Sequence, residues 1–590
     1  MLISIAAAAV ALAPELTAVS ALREVRDFNI VAPDIIEGSV VVTVSADRNV
    51  DLQTPNEAFW RVDDRTFATR FLWDDPSPRS VTLVDGVGDP ASLDLVPAPG
   101  PAYDPSTHSV PVIHVTTSSA ADLWDHFTGI YVWGEDANFN QRGGDWERNA
   151  TWRLSIGGDV LVDQPIGLRI HGGYSRFYHQ KGLRCYFDDY GDADELAYDV
   201  FGDGDSALFE RLVLRANRYD DVAINTNLAE GWMRDEDHLG SRSRFAAVYL
   251  NDEYWGAYSI RERLDSKFFE TTHGFGGDYV LIKDNETEEG DGDLWWARQA
   301  ALNDALRPES AAFYATVDAD IDLASYIDWL FFNILAVSGD NGFGYNLVIV
   351  RPEGGRWTFV MWDEDSIFRS GDEQADMFRY FSADGQAEHE YWRAPNDVRP
   401  WDPAQQRWQT MFRTLLRNPQ FRERLRTRVE ELVSGSLSVA AMHERLDAIV
   451  SEQISEIPRH AQRWEGFQHD WYLANVERTR DWIATRVPVV SGQLGPFLSE
   501  YEPSVVPIVL SVGPNPVHQE LTIAFAVARP AGEILTIHDL RGRRVRRLDV
   551  GGMILQSWDL RDDAGRSVPS GSYLLRSGDG TEMRRVTVIH

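Results

Sequence analysis

Lysine is nearly missing from this 590-residue chain. Only Lys181, Lys267 and Lys283 occur, so 53 of the 56 basic residues (56 − 3) are arginine. Lysine is normally among the commonest residues. An arginine-biased composition explains the depletion but not why the survivors fall within about a hundred residues of one another. Where a compact, mobile ammonium is needed, arginine is no substitute. The first survivor, Lys181, lies in "RIHGGYSRFYHQKGLRCYF", residues 169–187. Cysteine is scarcer still. Cys185 stands alone, which excludes an internal disulfide framework. It reads as a small buried apolar residue, with a reactive thiol as the alternative. Positive charge is also short: the net charge is −36. A generalised nucleic-acid binder needs a basic face, so that class is excluded. An acidic surface of this kind suits an extracellular or high-salt setting. No stretch approaches the ~18 consecutive apolar residues of a spanning helix, so no transmembrane segment is expected. The N-terminal "MLISIAAAAVALAPELTAVSALREV" has a short apolar run and small residues at Val19-Ser20-Ala21. This pattern predicts a signal peptide over residues 1–21 and a secreted or cell-surface protein.

What is present reads as several modules. Residues 22–105 alternate in short runs such as "GSVVVTVSA" and "RSVTLVDG", punctuated by Pro and Gly, and predict a β-rich domain. Residues 106–320 mix strands ("VPVIHVTT", "RLVLRAN", "FAAVYLNDEYWGAYSI", "DYVLIKD") with loops and few long helices. "IDLASYIDWLFFNILAVS", residues 321–338, has apolar residues at helical spacing and reads as a buried helix. "NLVIVRP", a Gly-Gly turn and "RWTFVMWD" form a hairpin. Residues 402–490 are mostly helical, one helix stopping at Gly435. Residues 497–510 read as a linker, and 511–590 return to short strands with turns at "DLRGR", "RDDAGRSVPSG" and "SGDGT". The class is α+β, with an all-β module at each end of a central domain over 106–496.

The buried helix is followed by Asp340 and Asn346, and one hairpin later by Asp363, Glu364 and Asp365. A phosphotransferase needs such parts. A lysine holds phosphates, one carboxylate orients the accepting hydroxyl, and an Asn and a second carboxylate hold Mg²⁺. Hard oxygen ligands suit Mg²⁺, which bridges substrate phosphates. Asp363 and Asp365 alternate at a strand end and so point to one face, with Glu364 pointing away. Each piece has a plain structural reading as well: a turn or Ca²⁺ site for the Asp-x-Asp, a helix end for Asp340, a surface residue for Lys181. It is the conjunction that points to chemistry.

These residues resemble the CotH family of atypical protein kinases of bacterial spore coats. The resemblance runs from about residue 109 to 490. "GLRIHGGYSRFYHQKGLRCYF" resembles the family's RxxGxxSRxxxxKxxR core. "FERLVLRANRYDD" and "VYLNDEYWGAYSIRERLD" resemble its middle motifs, and "DNGFGYN…WTFVMWDED" its catalytic end. The resemblance implies an atypical minimal protein-kinase-like domain using ATP and Mg²⁺ or Mn²⁺. It implies Lys181 as the nucleotide-phosphate lysine and Asp340 as the catalytic carboxylate. Asn346 and Asp363 become metal ligands with Asp365 nearby, and Asn341 competes for the Asn346 role. Gly172, Gly173, Ser175 and Arg176 form the loop before the lysine, flanked by Arg169 and Arg184. Glu262 and Lys283 lie near the nucleotide pocket, and Lys267 reads as a surface residue. GxGxxG, HRD and DFG signatures are absent. The C-terminal segment resembles the FlgD-like immunoglobulin-type sandwich of type IX secretion cargo. That resemblance implies contact with secretion machinery, for which "RGRRVRR" is a candidate.

The function expected is a secreted or surface-delivered kinase that transfers the ATP γ-phosphoryl to Ser or Thr of exported proteins. The alternative is a non-catalytic surface-binding protein on a kinase-like scaffold. In that reading the 20 Trp and the acidic "ETEEGDGD", residues 286–293, serve attachment, although a solvated loop suits the acidic run better. Glycoside hydrolysis by Asp340 and Asp363 leaves Lys181 and Asn346 without a role.

Overall fold

The computed structural model describes residues 103–502 apart from 133–136, 189, 191–193, 206–207, 217–218, 252, 277, 339–344, 396, 398–400 and 465–468. It describes 511–590 apart from 526–527, 530–531 and 578–582, and eight strands ahead of residue 103. Asp340, Asn341, most of the expected linker and the "SGDGT" turn lie outside the described residues. The chain divides into two compact units, 1–501 and 502–590.

The first unit opens with the eight strands, in two four-stranded antiparallel sheets. Leu2–Ala8 pairs with Pro90–Ala98, and Leu16–Leu22 with Ser39–Ala46. Two stretches of the segment read as a cleaved leader are therefore strands here. Short runs of Ala, Val, Leu and Ile satisfy either role.

A closed seven-stranded barrel follows. Its order is Arg148–Ile156, Asp159–His171, Gly182–Tyr186, Arg211–Ala216, Glu253–Glu262, Ser243–Leu250 and Val112–Thr117. Every pairing is antiparallel except that of Ser243–Leu250 with Val112–Thr117. Side chains alternate between the two faces of a strand. Leu168, Ile170, Leu183, Cys185, Leu212, Leu214 and Ile260 therefore fill one buried core with Trp152 and Tyr258. Their neighbours Arg169, His171, Arg184, Arg215 and Arg261 point outward. Cys185 is the small buried residue expected, and burial pushes its thiol up in pKa.

A second sheet runs Glu286–Glu289, Val280–Lys283, Val348–Arg351 and Thr358–Val360, its last two strands being the expected hairpin. The acidic run is its exposed edge strand, a place where charge discourages further pairing. The predicted buried helix spans Leu323–Ala336, and every residue but Ala324 is buried. It packs with the sheet and the C-terminal helices in the largest core. Its last carbonyls, on Ile334 and Leu335, accept from Arg486, which is fully buried and also binds the carbonyls of Glu373 and Ala375. The guanidinium thus satisfies a helix end that water cannot reach. The helical region comprises Pro403–Leu416, Pro419–Ser434, Val439–Gln453, Ile457–Arg463 and His469–Ser499, the second stopping at Gly435 as read. It meets the barrel at Gly256, where a Cβ would lie 2.7 Å from Trp464 Nε1 and 2.8 Å from His460 Nδ1. Ala257 N–H donates to His460 Nδ1 at 3.0 Å across that contact.

Several helices were not named from the sequence, and one of them bears on the site. Tyr219–Asp235 crosses between barrel and helical region. Near its end Glu236 and, on the buried helix, Asp328 converge on Arg428, while His238 Nε2 bonds Asp328 at 2.8 Å. Asp328 is fully buried, and hydrogen bonds from Arg428 and His238 outweigh its desolvation and hold its carboxyl below the usual range. Arg428→Met leaves that carboxylate short of its main partner. The expected loss is about 3 kcal/mol of unfolding free energy, read by urea denaturation.

The second unit holds two antiparallel sheets of three and four strands sharing one core around Trp558, Ile523, Ile537 and Leu575. Its turns repeat one device. Asp539 accepts from the N–H groups of Arg541 and Arg543, and Asp562 from those of Ala564 and Arg566; each Asp also binds the arginine side chain four residues on. Among the described residues of both units, no helix is long and apolar enough to cross a membrane.

Candidate functional site

The outward row of the barrel carries a set of basic side chains. Register places Arg169 opposite Arg184, Arg184 opposite Val213, and Val213 opposite Arg261. His171 Nδ1 faces Arg184 Nη2 at 3.1 Å. Burial holds the His171 pKa well below its ordinary value, and the charges of Arg184, Arg263, Arg215 and Lys283 add to the effect. A chain of net charge −36 thus gathers four cations around one imidazole.

The acidic groups come from the segment after Thr358–Val360. One nitrogen, Arg215 Nη2, lies 2.5 Å from Asp363 Oδ1 and 2.9 Å from Asp365 Oδ2. The two carboxylates share a face, as the alternation predicts. Their side chains are 29% and 33% exposed, against 16% for Arg215, although the Asp363 Oδ1 that meets Arg215 is itself buried. Glu364 points away, is buried, and bonds Ser338 Oγ at 3.0 Å. Burial drives its carboxyl well above the usual range. Glu230, from the unexpected helix, accepts from Asp363 N–H at 3.3 Å and from Arg261 Nη1 at 3.0 Å. Arg261 also donates to Asn227 Oδ1 at 2.6 Å, and Asn225 Nδ2 reaches the carbonyls of Asp365 and Ile367.

Backbone strain collects here. Val337, Asn346, Asp363 and Asp284 have φ of +51°, +52°, +59° and +51°. A β-branched residue such as Val337 rarely adopts that conformation. Such strain persists only where the surroundings impose it, and it concentrates at functional sites.

Lys283 approaches this group from the second sheet. Its ammonium sits 4.2 Å from the Trp362 ring centroid. Burial lowers its pKa, opposed by Glu288, Asp284 and Asp363. Asn346 offers its backbone N–H to Asp284.

Lys181 has a different set of partners. It is buried, donates to the Tyr178 carbonyl at 2.7 Å, and lies 5.1 Å and 5.0 Å from the ring centroids of Tyr131 and Phe139. Glu262 likewise serves Arg242, accepting from Nη2 at 2.7 Å and from the backbone N–H at 2.8 Å. Arg176 is buried among the carbonyls of Gly172, Ile170, Phe139 and Gln141, which tie the loop before Lys181 to residues 139–141. Gly172 has φ +117°, and a Cβ there would lie 2.2 Å from Ser175 Oγ. Gly173 and Ser175 are exposed. The structure therefore groups Arg184 and Lys283 with Arg215 around His171, puts Asp363 and Asp365 on Arg215, and ties Asn346 by its backbone to Asp284. It gives Lys181, Glu262 and Arg176 work of their own.

The profile of the CotH family, described as CotH kinase protein, matches residues 168–490. This chain belongs to the CotH family. The matched CotH segment runs from the barrel strand carrying His171 through to the last long helix, and so contains every residue grouped above. No curated protein matches the chain. A solved structure with partial similarity is PorZ, described as an essential bacterial surface component of the type-IX secretion system of human oral-microbiomic Porphyromonas gingivalis. It is 26% identical over 15% of this chain, with a TM-score of 0.12, and the match spans 13% of PorZ.

The family implies a divalent metal. The donor set agrees in kind: two partly exposed carboxylates already share one cation, and the buried Glu230 Oε2 beside them has no hydrogen-bond partner among the described residues. No group of three or more His, Cys, Asp or Glu side chains converges among the described residues.

Neutral His171 predicts a pH effect. Its folded pKa lies below the ordinary value of 6.5, so the unfolded chain binds the proton first. This contribution to stability is present above pH 6.5 and is lost as pH falls below it. Thermal unfolding of wild type and His171→Gln from pH 8 to pH 5 is expected to show the steeper decline in wild type.

Proposed function

We propose that this protein is a kinase that transfers the γ-phosphoryl of ATP to Ser or Thr hydroxyls of exported or cell-surface proteins. The observation that carries the reading is the grouping itself: Arg184, Arg263, Arg215 and Lys283 gather around His171, and Asp363 and Asp365 meet on Arg215. A nucleoside triphosphate is the ligand that needs both. Arg184, Arg263 and Lys283 face its phosphate oxygens. Asp363 and Asp365, with Asn346, hold Mg²⁺ or Mn²⁺, which when bound neutralises charge on the phosphates. Asp340, which follows the helix end fixed by Arg486, orients the accepting hydroxyl. Phosphoryl transfer asks mainly for positioning and charge neutralisation, and strands carry Arg184 and Lys283 while Arg215 holds the Asp363–Asp365 pair. Lys181 braces the loop over residues 172–180 in this reading.

Delivery outside the cell, with the C-terminal sandwich engaging secretion machinery, belongs to the same proposal. Its support is the paired Asp-x-x-Gly-Arg turns and the acidic character of the chain.

The test is the full chain with ATP and Mg²⁺ or Mn²⁺, alone and with candidate exported proteins, read by intact mass. A phosphate adduct that depends on ATP supports the reading. Nucleotide binding with no transfer to any protein leaves the non-catalytic scaffold.

A further inference from the structure

One nitrogen of Arg215 occupies the point where Asp363 and Asp365 converge. Strand alternation puts it there: Leu212 and Leu214 face the barrel core, so Arg215 must face out. Two carboxylates this close repel unless a cation sits between them. Glu230 adds a third acid, whose Oε1 is engaged by Arg261 while its buried Oε2 has no partner among the described residues. The segment carrying the pair begins at Asp363 with left-handed backbone, so its shape depends on what holds it.

We propose that Arg215 is a built-in counter-cation: it holds Asp363 and Asp365 in place when no divalent metal is bound, and a metal enters only by moving or sharing the guanidinium. Arg215 is thus a positioning residue that makes metal binding depend on nucleotide. A free divalent ion must compete with a tethered cation, whereas an ion arriving with phosphates brings ligands and negative charge that Arg215 can engage instead. The inference rests on Asp363 and Asp365 being the cation-holding pair.

The experiment uses the full chain without nucleotide and MnCl₂ as the probe, read by titration calorimetry and thermal shift. Wild type is expected to bind Mn²⁺ weakly. Arg215→Gln is expected to unfold at a lower temperature without metal. It is also expected to bind Mn²⁺ at least about tenfold more tightly than wild type, because a competing positive charge is gone. Arg215→Gln combined with Asp363→Asn loses that gain. Equal Mn²⁺ affinity in wild type and Arg215→Gln overturns the inference. Should Arg215→Gln not fold, Arg215→Lys decides: its shorter reach predicts affinity above wild type by a smaller factor, and equality again overturns. A chain that phosphorylates but shows no Arg215 effect keeps the kinase reading and loses this one. A chain without transfer whose Arg215→Gln variant gains Mn²⁺ affinity does the reverse.

Discussion

Asp363→Asn lowers ATP-dependent phosphate incorporation about a hundredfold or more, the scale set by loss of one transition-state electrostatic group. The amide keeps the size and can still accept from Arg215, so the fold has little reason to change. What it loses is the charge that holds a cation against the phosphates. The neighbouring acid makes the control. Glu364 is buried on Ser338, and its environment already favours the protonated form. Glu364→Gln imitates that form, keeps the side chain's size and its Ser338 contact, opens no cavity and buries no new charge, and is expected to leave the rate within about threefold. The measurement is initial rate by intact mass, beside melting temperature. Asp363→Asn retaining a tenth of the wild-type rate, or Glu364→Gln matching its loss, removes Asp363 from its role.

The same pair shows what was legible in the sequence. The two-residue period put Asp363 and Asp365 on one side and Glu364 on the other, and Arg215 does bridge the pair. The backbone that achieves this is not strand: Thr358–Val360 has ended, and Asp363 is left-handed. The buried helix, the following hairpin and the C-terminal helices were readable because their signals are local: apolar period, Gly-Gly turn and the stop at Gly435. The barrel was not. Its closing pair joins Val112–Thr117 to Ser243–Leu250, and no local pattern announces a partner so distant. Helix Tyr219–Asp235 was missed for another reason. "YDDVAINTNLAEGWMRD" is rich in Asp, Asn and Thr with a Gly, all weak helix formers. Packing of Leu228, Ala229, Trp232 and Met233 into the main core overrides that preference. With the helix went Asn225, Asn227 and Glu230. Arg215 had a signal that went unused: an arginine alternating with Leu212 and Leu214 must lie on the strand's other face.

The lysines divide the two readings of the nucleotide site, and opposite signatures are expected from them. Lys181 is enclosed by Tyr131, Phe139 and the Tyr178 carbonyl. An ammonium suits that enclosure, while a guanidinium brings five donors in a wide fork. Each buried donor left unmet costs about 1–3 kcal/mol. Lys181→Arg is therefore expected to lower the melting temperature by several degrees yet leave the affinity of the folded protein for ATP unchanged. Lys283 is the converse. Burial already disfavours its charged form, so Lys283→Met is expected to leave stability equal or higher. It removes a cation from the group around His171, and ATP affinity is expected to fall about tenfold, the effect of some 1.4 kcal/mol. Lys267 answers to Glu210 at 3.4 Å and Glu270 at 3.6 Å on the surface, and Lys267→Arg is expected to be silent. Calorimetric titration of each variant with ATP and Mg²⁺, beside its melting curve, separates the cases. If Lys181→Arg instead melts like wild type and no longer binds ATP, then the enclosure opens to nucleotide and Lys181 is the phosphate lysine, as the family resemblance has it. If the expected pattern holds, arginine is excluded at 181 by the walls around the side chain, and the phosphates are met by Lys283 and the outward arginines of the barrel.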